Sequence, residues 1–171
     1  QLSIPVELKL LGSGVDVQLV RMPIFELNTL RGRSVAEDQQ VIVPGAPFEV
    51  ATKVPLFDVN MTIARQDSDA LYVVVRGHVI ELNWAERELR LPKSNPHKLS
   101  AHEQIILPDA SQLRLRLIVD RTSIEIFVND GEISASACYL PDAYQYSLVF
   151  YSHGGEQLLD FELHELNSIW Q

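Results

Sequence analysis

The strongest constraint on the fold of this chain is a period of two in its apolar residues. Leucine alternates with arginine over residues 113–117, and valine at position 119 continues the pattern. The same alternation occurs over residues 59–63, 124–128, 146–150 and 159–163. Successive side chains of a β-strand point to opposite faces of a sheet, so these runs predict strands with one buried and one exposed face.

Turn-forming residues separate these runs. They include Gly12-Ser13-Gly14, Pro44-Gly45, Arg76-Gly77, Asp130-Gly131, Pro141-Asp142 and Gly154-Gly155. Many short strands joined by tight turns are typical of two packed antiparallel sheets. We therefore predict an all-β fold, a two-sheet antiparallel β-sandwich of the concanavalin-like jelly-roll type, in which residues 1–171 form a single domain. Short helical pieces are predicted at residues 27–37 and 84–89.

Composition narrows the function classes. The 171 residues include 14 Lys and Arg against 23 Asp and Glu, a net charge of -9, so the chain would repel nucleic-acid phosphates and anionic lipids. No apolar run approaches the ~18 residues of a membrane span, and the single cysteine, Cys138, excludes an intrachain disulfide. We expect no nucleic-acid partner, no membrane partner and no cofactor. No leader pattern is visible at Gln1, so we expect a trimmed chain or the tail of a longer one.

One hairpin can be aligned residue by residue. Asp130-Gly131 is favoured in two-residue turns because both positions tolerate positive φ. Placing it at the tip pairs Asn129 with Glu132, Val128 with Ile133, Phe127 with Ser134, Ile126 with Ala135, and Glu125 with Ser136. One face then carries an apolar set, whereas a one-residue slip would scatter it. The set consists of Ile124, Ile126, Val128, Ile133 and Ala135.

The opposite face of this segment is polar. A loop at residues 120–123 pairs Ile118 with Glu125 and Arg116 with Phe127, and that face then carries Arg114, Arg116, Glu125, Phe127, Ser134 and Ser136. Guanidinium and carboxylate groups can hydrogen-bond the hydroxyls of a neutral sugar, an aromatic ring can cover its apolar side, and serines leave room. The pattern is equally that of a solvent face, with Arg116 and Glu125 as a surface ion pair worth under about 1 kcal/mol. The residues alone leave both interpretations open.

Other candidate sites are weak. His97 and His102 lack the further ligands that a metal site needs, so we predict no metal-binding residues. We expect Cys138 to be a small buried residue, and we expect Trp84 and Tyr139 to belong to the core. No pattern marks a catalytic residue.

Four segments of the chain stand in an order typical of one family. They are SIPVEL (residues 3–8), PIFELNTLR (23–31), VDRTSIEIFVNDGE (119–132) and ELNSIW (165–170). Together they resemble the C-terminal β-sandwich domain of glycoside hydrolase family 32, which contains levanases, inulinases and invertases. Two positions depart from the family's usual pattern, because Val6 and Cys138 stand where arginine is common.

The resemblance implies a non-catalytic domain. In the family a separate five-bladed propeller carries the catalytic residues in segments similar to WMNDPNG, EC and RDP, and none of these occurs in this sequence. Some relatives of the sandwich, similar to carbohydrate-binding module family 66, bind the terminal fructose of levan. The six polar-face residues above would then be the sugar-binding residues.

Two hypotheses of different classes result. The first is a carbohydrate-binding module that holds β-fructan, either levan or inulin, beside a glycoside hydrolase propeller in the same or another chain, in an extracellular or periplasmic location. The second is a structural module that braces such a propeller or forms dimers without binding sugar, and it predicts an unusually large exposed apolar patch. An enzyme in its own right is the least favoured hypothesis.

Overall fold

The computed structural model describes residues 4–91, 104–140 and 147–168. Within these residues, fourteen strands form a two-stranded hairpin and two six-stranded antiparallel sheets. The prediction of an all-β, two-sheet sandwich is therefore confirmed. No helix in this described part of the chain has the length and apolar character of a membrane span.

The bounds of the elements are as follows. Sheet I contains, in spatial order, β12 (Ile133–Cys138), β11 (Ser123–Val128), β10 (Gln112–Val119), β5 (Phe57–Ala64), β14 (Gln157–Leu166) and β3 (Arg31–Ile42). Sheet II contains β4 (Phe48–Ala51), β13 (Ser147–His153), β6 (Ala70–Val75), β7 (His78–Asn83), β8 (Glu88–Arg90) and β9 (Gln104–Ile106). The N-terminal hairpin consists of β1 (Val6–Leu11) and β2 (Gln18–Pro23), and two 3₁₀ helices span Phe25–Leu30 and Asn129–Gly131.

The two sheets bury one continuous core between them. The alternating apolar residues of β5, β10 and β11 all point inward, and Ile124, Ile126 and Val128 are each at most 1% exposed. Phe48, Phe150 and Phe161 form an aromatic cluster between the sheets, with ring centroids 5.8–6.1 Å apart. Trp84 and Tyr139 also belong to this core, as expected.

The predicted hairpin register is confirmed. β11 and β12 pair Val128 with Ile133, Phe127 with Ser134, Ile126 with Ala135, and Glu125 with Ser136. The turn has φ values of 58° at Asp130 and 90° at Gly131, the left-handed region that this dipeptide tolerates. β10 pairs with β11 as predicted from the loop at residues 120–123.

Other local predictions were wrong. Of the predicted helical segment at residues 27–37, only 27–30 are helical, as the end of the 3₁₀ helix Phe25–Leu30, and β3 begins immediately afterwards at Arg31. The second predicted helical segment is a turn followed by β8, because its apolar residue Leu89 completes the core beside β7. Cys138 is exposed rather than buried. His97, His102 and the predicted turn at Pro141-Asp142 lie outside the described residues.

The N-terminal hairpin lies against the end of sheet I rather than extending either sheet. Val20 is 1% exposed, and the carbonyl of Arg21 occupies the place that a Cβ on Gly131 would take. Gly131 therefore permits close packing between β2 and the β11–β12 turn, and any larger residue there would push the hairpin away.

The edge strand β3 contains a bulge. Its register against β14 shifts between Leu159 and Phe161, and Gln39 has a φ of 54°. The carboxylate of Asp160 accepts a hydrogen bond from the Gln39 amide at 2.6 Å. This bond satisfies an amide that the bulge removes from the regular ladder.

Tyr139 links the two sheets at one end of the sandwich. Its hydroxyl donates to the carbonyl of Asp120 at 2.6 Å, and the Arg76 guanidinium donates to the Tyr139 oxygen at 3.3 Å. Arg76 also donates to the carbonyl of Arg121 at 3.1 Å. Burial raises the pKa of Tyr139 and so favours the neutral hydroxyl, the form that donates to the Asp120 carbonyl.

The buried side chain of Gln157 also links the two sheets, at another position in the core. Gln157 is 0% exposed, and its side-chain oxygen accepts hydrogen bonds from Ser68 and from the indole of Trp84, both at 2.8 Å. Its amide nitrogen donates to the carbonyls of Ala64 and Leu158. All the hydrogen-bonding capacity of this side chain is thus used inside the protein.

Replacing Gln157 should therefore destabilise the fold. In Gln157→Ala the Ser68 hydroxyl, the Trp84 indole and the Ala64 carbonyl lose a buried partner, so we expect a loss of about 2–4 kcal/mol in the free energy of unfolding. Urea unfolding measures it. The control Gln112→Ala, at an exposed position of β10, should change stability by less than about 0.5 kcal/mol. Equal stabilities for the two variants would contradict the prediction.

Candidate functional site

A row of side chains crosses the outer face of sheet I. The strand registers place Phe127 opposite Arg116, Arg116 opposite Asn60, Asn60 opposite Glu162, and Glu162 opposite Ala36. Neighbouring strands lie about 4.8 Å apart, so the row extends over about 19 Å. Five strands therefore place one residue each along one line, and the three in the middle, Arg116, Asn60 and Glu162, are polar.

The N-terminal hairpin turns this face into an open groove of about 440 Å³. Met22 and Pro23 of β2 supply an apolar wall, while the edge strand β3 lies at the far side of sheet I. The lining residues change in character across the groove, from apolar Met22, Pro23 and Phe127, through polar Asn60, Thr62, Arg114 and Arg116, to acidic Asp38, Asp160 and Glu162. The groove thus offers hydrogen-bonding groups over most of its length.

A buried carboxylate anchors the floor of the groove. Asp58 has a side chain that is 2% exposed, and it accepts hydrogen bonds from Arg116 at 2.9 and 2.8 Å. Arg31, at the start of β3, donates to the same carboxylate at 2.9 and 2.6 Å. Arg116 also donates to the Asn28 side chain at 3.3 Å, which ties the first 3₁₀ helix to the sheet. These contacts fix the guanidinium of Arg116 in one orientation.

The second arginine of the groove is held less tightly. Arg114 donates to the carboxylate of Asp130 at 3.1 and 2.6 Å, but the two side chains are 61% and 60% exposed. Solvent screens an exposed pair of this kind, and its contribution to stability is at most about 1 kcal/mol. Arg114 can therefore exchange its partner for a ligand more readily than Arg116.

The structure divides the six predicted site residues into two groups. Arg114, Arg116 and Phe127 line the groove, whereas Glu125, Ser134 and Ser136 are not among its described lining residues. Glu125 is 6% exposed and accepts a hydrogen bond from Ser136. Phe127 is 4% exposed, so its ring completes the floor and presents little area for stacking.

The alternative interpretation predicted a surface ion pair between Arg116 and Glu125, and this pair does not form. Arg116 is paired with Asp58 instead. Arg116 bonds to Asp58 on its other side, because β5 places that carboxylate within reach and Arg31 holds it there. Glu125 lies opposite Ile118 and is occupied by Ser136.

Most of the groove residues were missed by the sequence reasoning. Asn60 and Thr62 are the polar members of the predicted strand at 59–63, so their alternation was visible. The sequence does not show that β5 pairs with both β10 and β14, because these strands are separated from β5 by tens of residues. Asp38, Asp160 and Glu162 carry no local pattern that distinguishes them from other exposed acids.

The chemistry of the groove suits a polar, uncharged ligand. Asn60, Thr62 and the arginines donate hydrogen bonds, and the carboxylates accept them, which is the combination that vicinal hydroxyls require. Within the described residues, no three His, Cys, Asp or Glu side chains converge in a way that would hold a metal ion.

Comparisons with known proteins agree with the fold and the sequence pattern. The sequence profile of "Glycosyl hydrolases family 32 C terminal" matches residues 26–165. The levanase of Bacillus subtilis is 27% identical over 188 aligned residues, which cover 98% of this chain and 27% of the levanase. A sucrose-6-phosphate hydrolase of Klebsiella pneumoniae is 31% identical over 134 residues, 77% of this chain and 25% of that protein.

A solved structure shows the same fold. The crystal structure of exo-inulinase from Aspergillus awamori superimposes with a TM-score of 0.79 at 19% identity, over 98% of this chain and 36% of the exo-inulinase. The chain thus spans about a quarter to a third of the length of these relatives.

The fold and the groove define a β-sandwich domain with an open polar surface on one sheet. The match over most of its length shows that the chain belongs to the glycoside hydrolase family 32 C-terminal domain family, as its four sequence segments indicated.

Removing the carboxylate of Asp58 should weaken the whole site. In Asp58→Asn two partly buried guanidinium groups lose their counter-charge, so we expect a loss of about 3–5 kcal/mol in the free energy of unfolding. The exposed carboxylate of Asp130 supplies a matched control, because Asp130→Asn keeps a residue that tolerates positive φ and should cost under about 1 kcal/mol. Chemical denaturation of both variants tests this, and a loss in Asp58→Asn no larger than that of the control would contradict it.

Proposed function

We propose that this domain is a non-catalytic carbohydrate-binding module that holds β-fructan, levan or inulin, for an associated fructan hydrolase. The observation that carries the proposal is the groove on sheet I, with its row from Phe127 to Ala36. The relatives named levanase and exo-inulinase support fructan as the ligand. Because such polymers are met outside the cytoplasm, the proposal includes an extracellular or periplasmic location.

The groove suits a chain-like sugar. It is open and follows the row across five strands, so a ligand longer than one sugar unit can lie along it. Asn60 and Thr62 stand at its centre, where they can bond to hydroxyls of the chain, and Arg114 can add a further donor. Shallow sites of this kind bind weakly, so attachment to a hydrolase that holds the same polymer increases the effective affinity.

Nothing in the proposal requires this domain to cleave the sugar. Retaining glycoside hydrolysis needs two carboxyl groups about 5 Å apart on either side of the scissile bond. This sequence contains no segment similar to WMNDPNG, EC or RDP, in which the family carries its catalytic residues. In the proposal the reaction belongs to a separate catalytic domain, and the sandwich supplies binding.

Calorimetric titration with levan, inulin and fructose tests the binding. We expect saturable heat with at least one fructan, and about fivefold or greater weakening in Asn60→Ala, which loses hydrogen bonds worth ~1 kcal/mol or more at the centre of the groove. Asn83→Ala, on β7 of the opposite sheet, is the matched control and should bind like the native domain. If none of the three sugars produces heat above dilution, the module does not bind fructan.

A second candidate function, docking onto a propeller, is favoured by the N-terminal hairpin. Leu10 and Leu19 face each other across β1 and β2 and are 70% and 54% exposed, and neighbouring Leu8 is 59% exposed. The hairpin forms a separate two-stranded sheet, so both of its outer edges lack a strand partner among the described residues. Such an apolar surface marks an interaction site.

The partner proposed for this surface is the catalytic propeller of a family 32 hydrolase. The hairpin precedes residue 26, where the match to the C-terminal family begins, yet the superposition on exo-inulinase covers 98% of this chain. We infer that the hairpin belongs to the domain together with the sandwich and is the part that contacts a propeller. The two candidate functions share β2 but use its opposite faces, since Met22 lines the groove and Leu19 points to the other side, so they are compatible.

Substitutions in the hairpin separate docking from sugar binding. In Leu10→Glu/Leu19→Lys the opposite charges remain a favourable cross-strand pair, so the hairpin persists while its apolar face is lost. We expect sedimentation velocity to show association of the native domain with a family 32 catalytic domain and its loss in this variant. Val79→Lys, at an exposed apolar position of sheet II, is the control and should still associate. No association by the native domain, or equal association by all three proteins, would refute docking through the hairpin.

A further inference from the structure

Each arginine that lines the described part of the groove already holds a carboxylate of the protein, although Arg116 shares its carboxylate, that of Asp58, with Arg31. Arg116 is held by Asp58 at 2.8 Å, and Arg114 by Asp130 at 2.6 Å. A guanidinium that is paired with a carboxylate attracts a second anion far less than a free one does. Among the described lining residues, no arginine is therefore without a carboxylate partner, whereas phosphate recognition usually uses an unpaired arginine.

The far side of the groove is acidic. Asp160 and Glu162 of β14 and Asp38 of β3 line it. The Asp160 carboxylate accepts a hydrogen bond from the Gln39 backbone amide, and the Glu162 side chain, 53% exposed, lies 3.2 Å from a ring nitrogen of His164. In total, four carboxylates and two guanidinium groups line the described part of the groove. The net charge of -9 on the whole chain adds to the negative potential.

The hydrogen-bonding capacity of the groove, like its charge, favours a neutral sugar over a phosphorylated one. Ionised carboxylates only accept hydrogen bonds. A sugar hydroxyl can donate to them, whereas the oxygens of a phosphate dianion are themselves acceptors and cannot. A phosphorylated sugar in this groove would therefore lose the hydrogen bonds that a neutral sugar makes, in addition to meeting repulsion.

We propose that the groove selects neutral fructosyl chains and rejects phosphorylated sugars, with Asp160 and Glu162 as the specificity-determining residues. The inference rests on the proposed binding function and specifies its ligand class. Both neutral and phosphorylated sugars occur in the names of the relatives, which include a levanase and a sucrose-6-phosphate hydrolase. Specificity of this kind comes from a repulsive element as much as from attractive contacts.

The decisive comparison uses one sugar with and without phosphate. Sucrose and sucrose 6-phosphate are titrated into the ¹⁵N-labelled 171-residue chain at pH 8, where the phosphate is a dianion. Levan oligosaccharide serves as the reference ligand. We expect shifts of groove amides with the two neutral sugars, and at least about tenfold weaker binding of the phosphorylated one at low salt. Added salt should reduce this difference because the repulsion is screened.

Charge removal tests the assigned residues. Asp160→Asn/Glu162→Gln keeps the oxygen that accepts from Gln39 and removes two negative charges, so binding of sucrose 6-phosphate should strengthen about fivefold or more relative to sucrose. Asp109→Asn/Glu156→Gln changes the net charge equally at exposed positions outside the groove and should leave the ratio unchanged.

The outcomes are distinguishable. If the native chain binds neutral fructan but binds sucrose 6-phosphate equally well, the selectivity is refuted and the binding function stands. An equal change of ratio in both double variants would refute the role of Asp160 and Glu162, because overall charge would then explain it. Absence of any binding to levan oligosaccharide and sucrose, together with no heat from inulin in the calorimetric titration, would overturn the binding function itself, and the selectivity with it.

Discussion

The buried carboxylate of Asp58 accepts hydrogen bonds from two guanidinium groups, and these bonds connect elements that are far apart in the chain. Arg31 opens β3, Arg116 lies in the middle of β10, and Asn28 on the 3₁₀ helix completes the contact. A buried carboxylate is tolerated only when its hydrogen-bonding capacity is satisfied, so the three strands and the helix must assemble together for Asp58 to be buried. The same contact immobilises Arg116, and thereby shapes the floor of the groove.

The inner and outer faces of the sheets have different roles in this domain. The inner faces of the sheets form a core, and the side chains of Gln157 and Tyr139 make hydrogen bonds that link the two sheets at separate positions. The outer face of sheet I is free to carry polar side chains in register, and the N-terminal hairpin converts that flat face into a groove. A rigid sheet places these side chains more accurately than loops would, which suits recognition of an extended sugar chain.

The fold was largely predictable because its signals are local. Alternation at residues 113–119 and 124–128, together with the Asp130-Gly131 turn, determined strands, faces and register, including the pairing of Arg116 with Phe127. The site was less predictable because its geometry depends on long-range pairing. Which strand lies on the far side of β10 decides whether Arg116 meets Asp58, and no local pattern encodes that choice. The burial of Phe127 beside the hairpin was hidden for the same reason.

The bulge in β3 has a consequence for the behaviour of the domain at high concentration. β3 has twelve residues and forms one margin of sheet I, so it offers unpaired backbone groups along its outer side. At Gln39 the backbone leaves the regular spacing, and its amide is committed to Asp160. A strand from another molecule cannot maintain continuous hydrogen bonding past that point. A domain built almost wholly of strands is thereby guarded against fibrillar self-assembly along its longest margin.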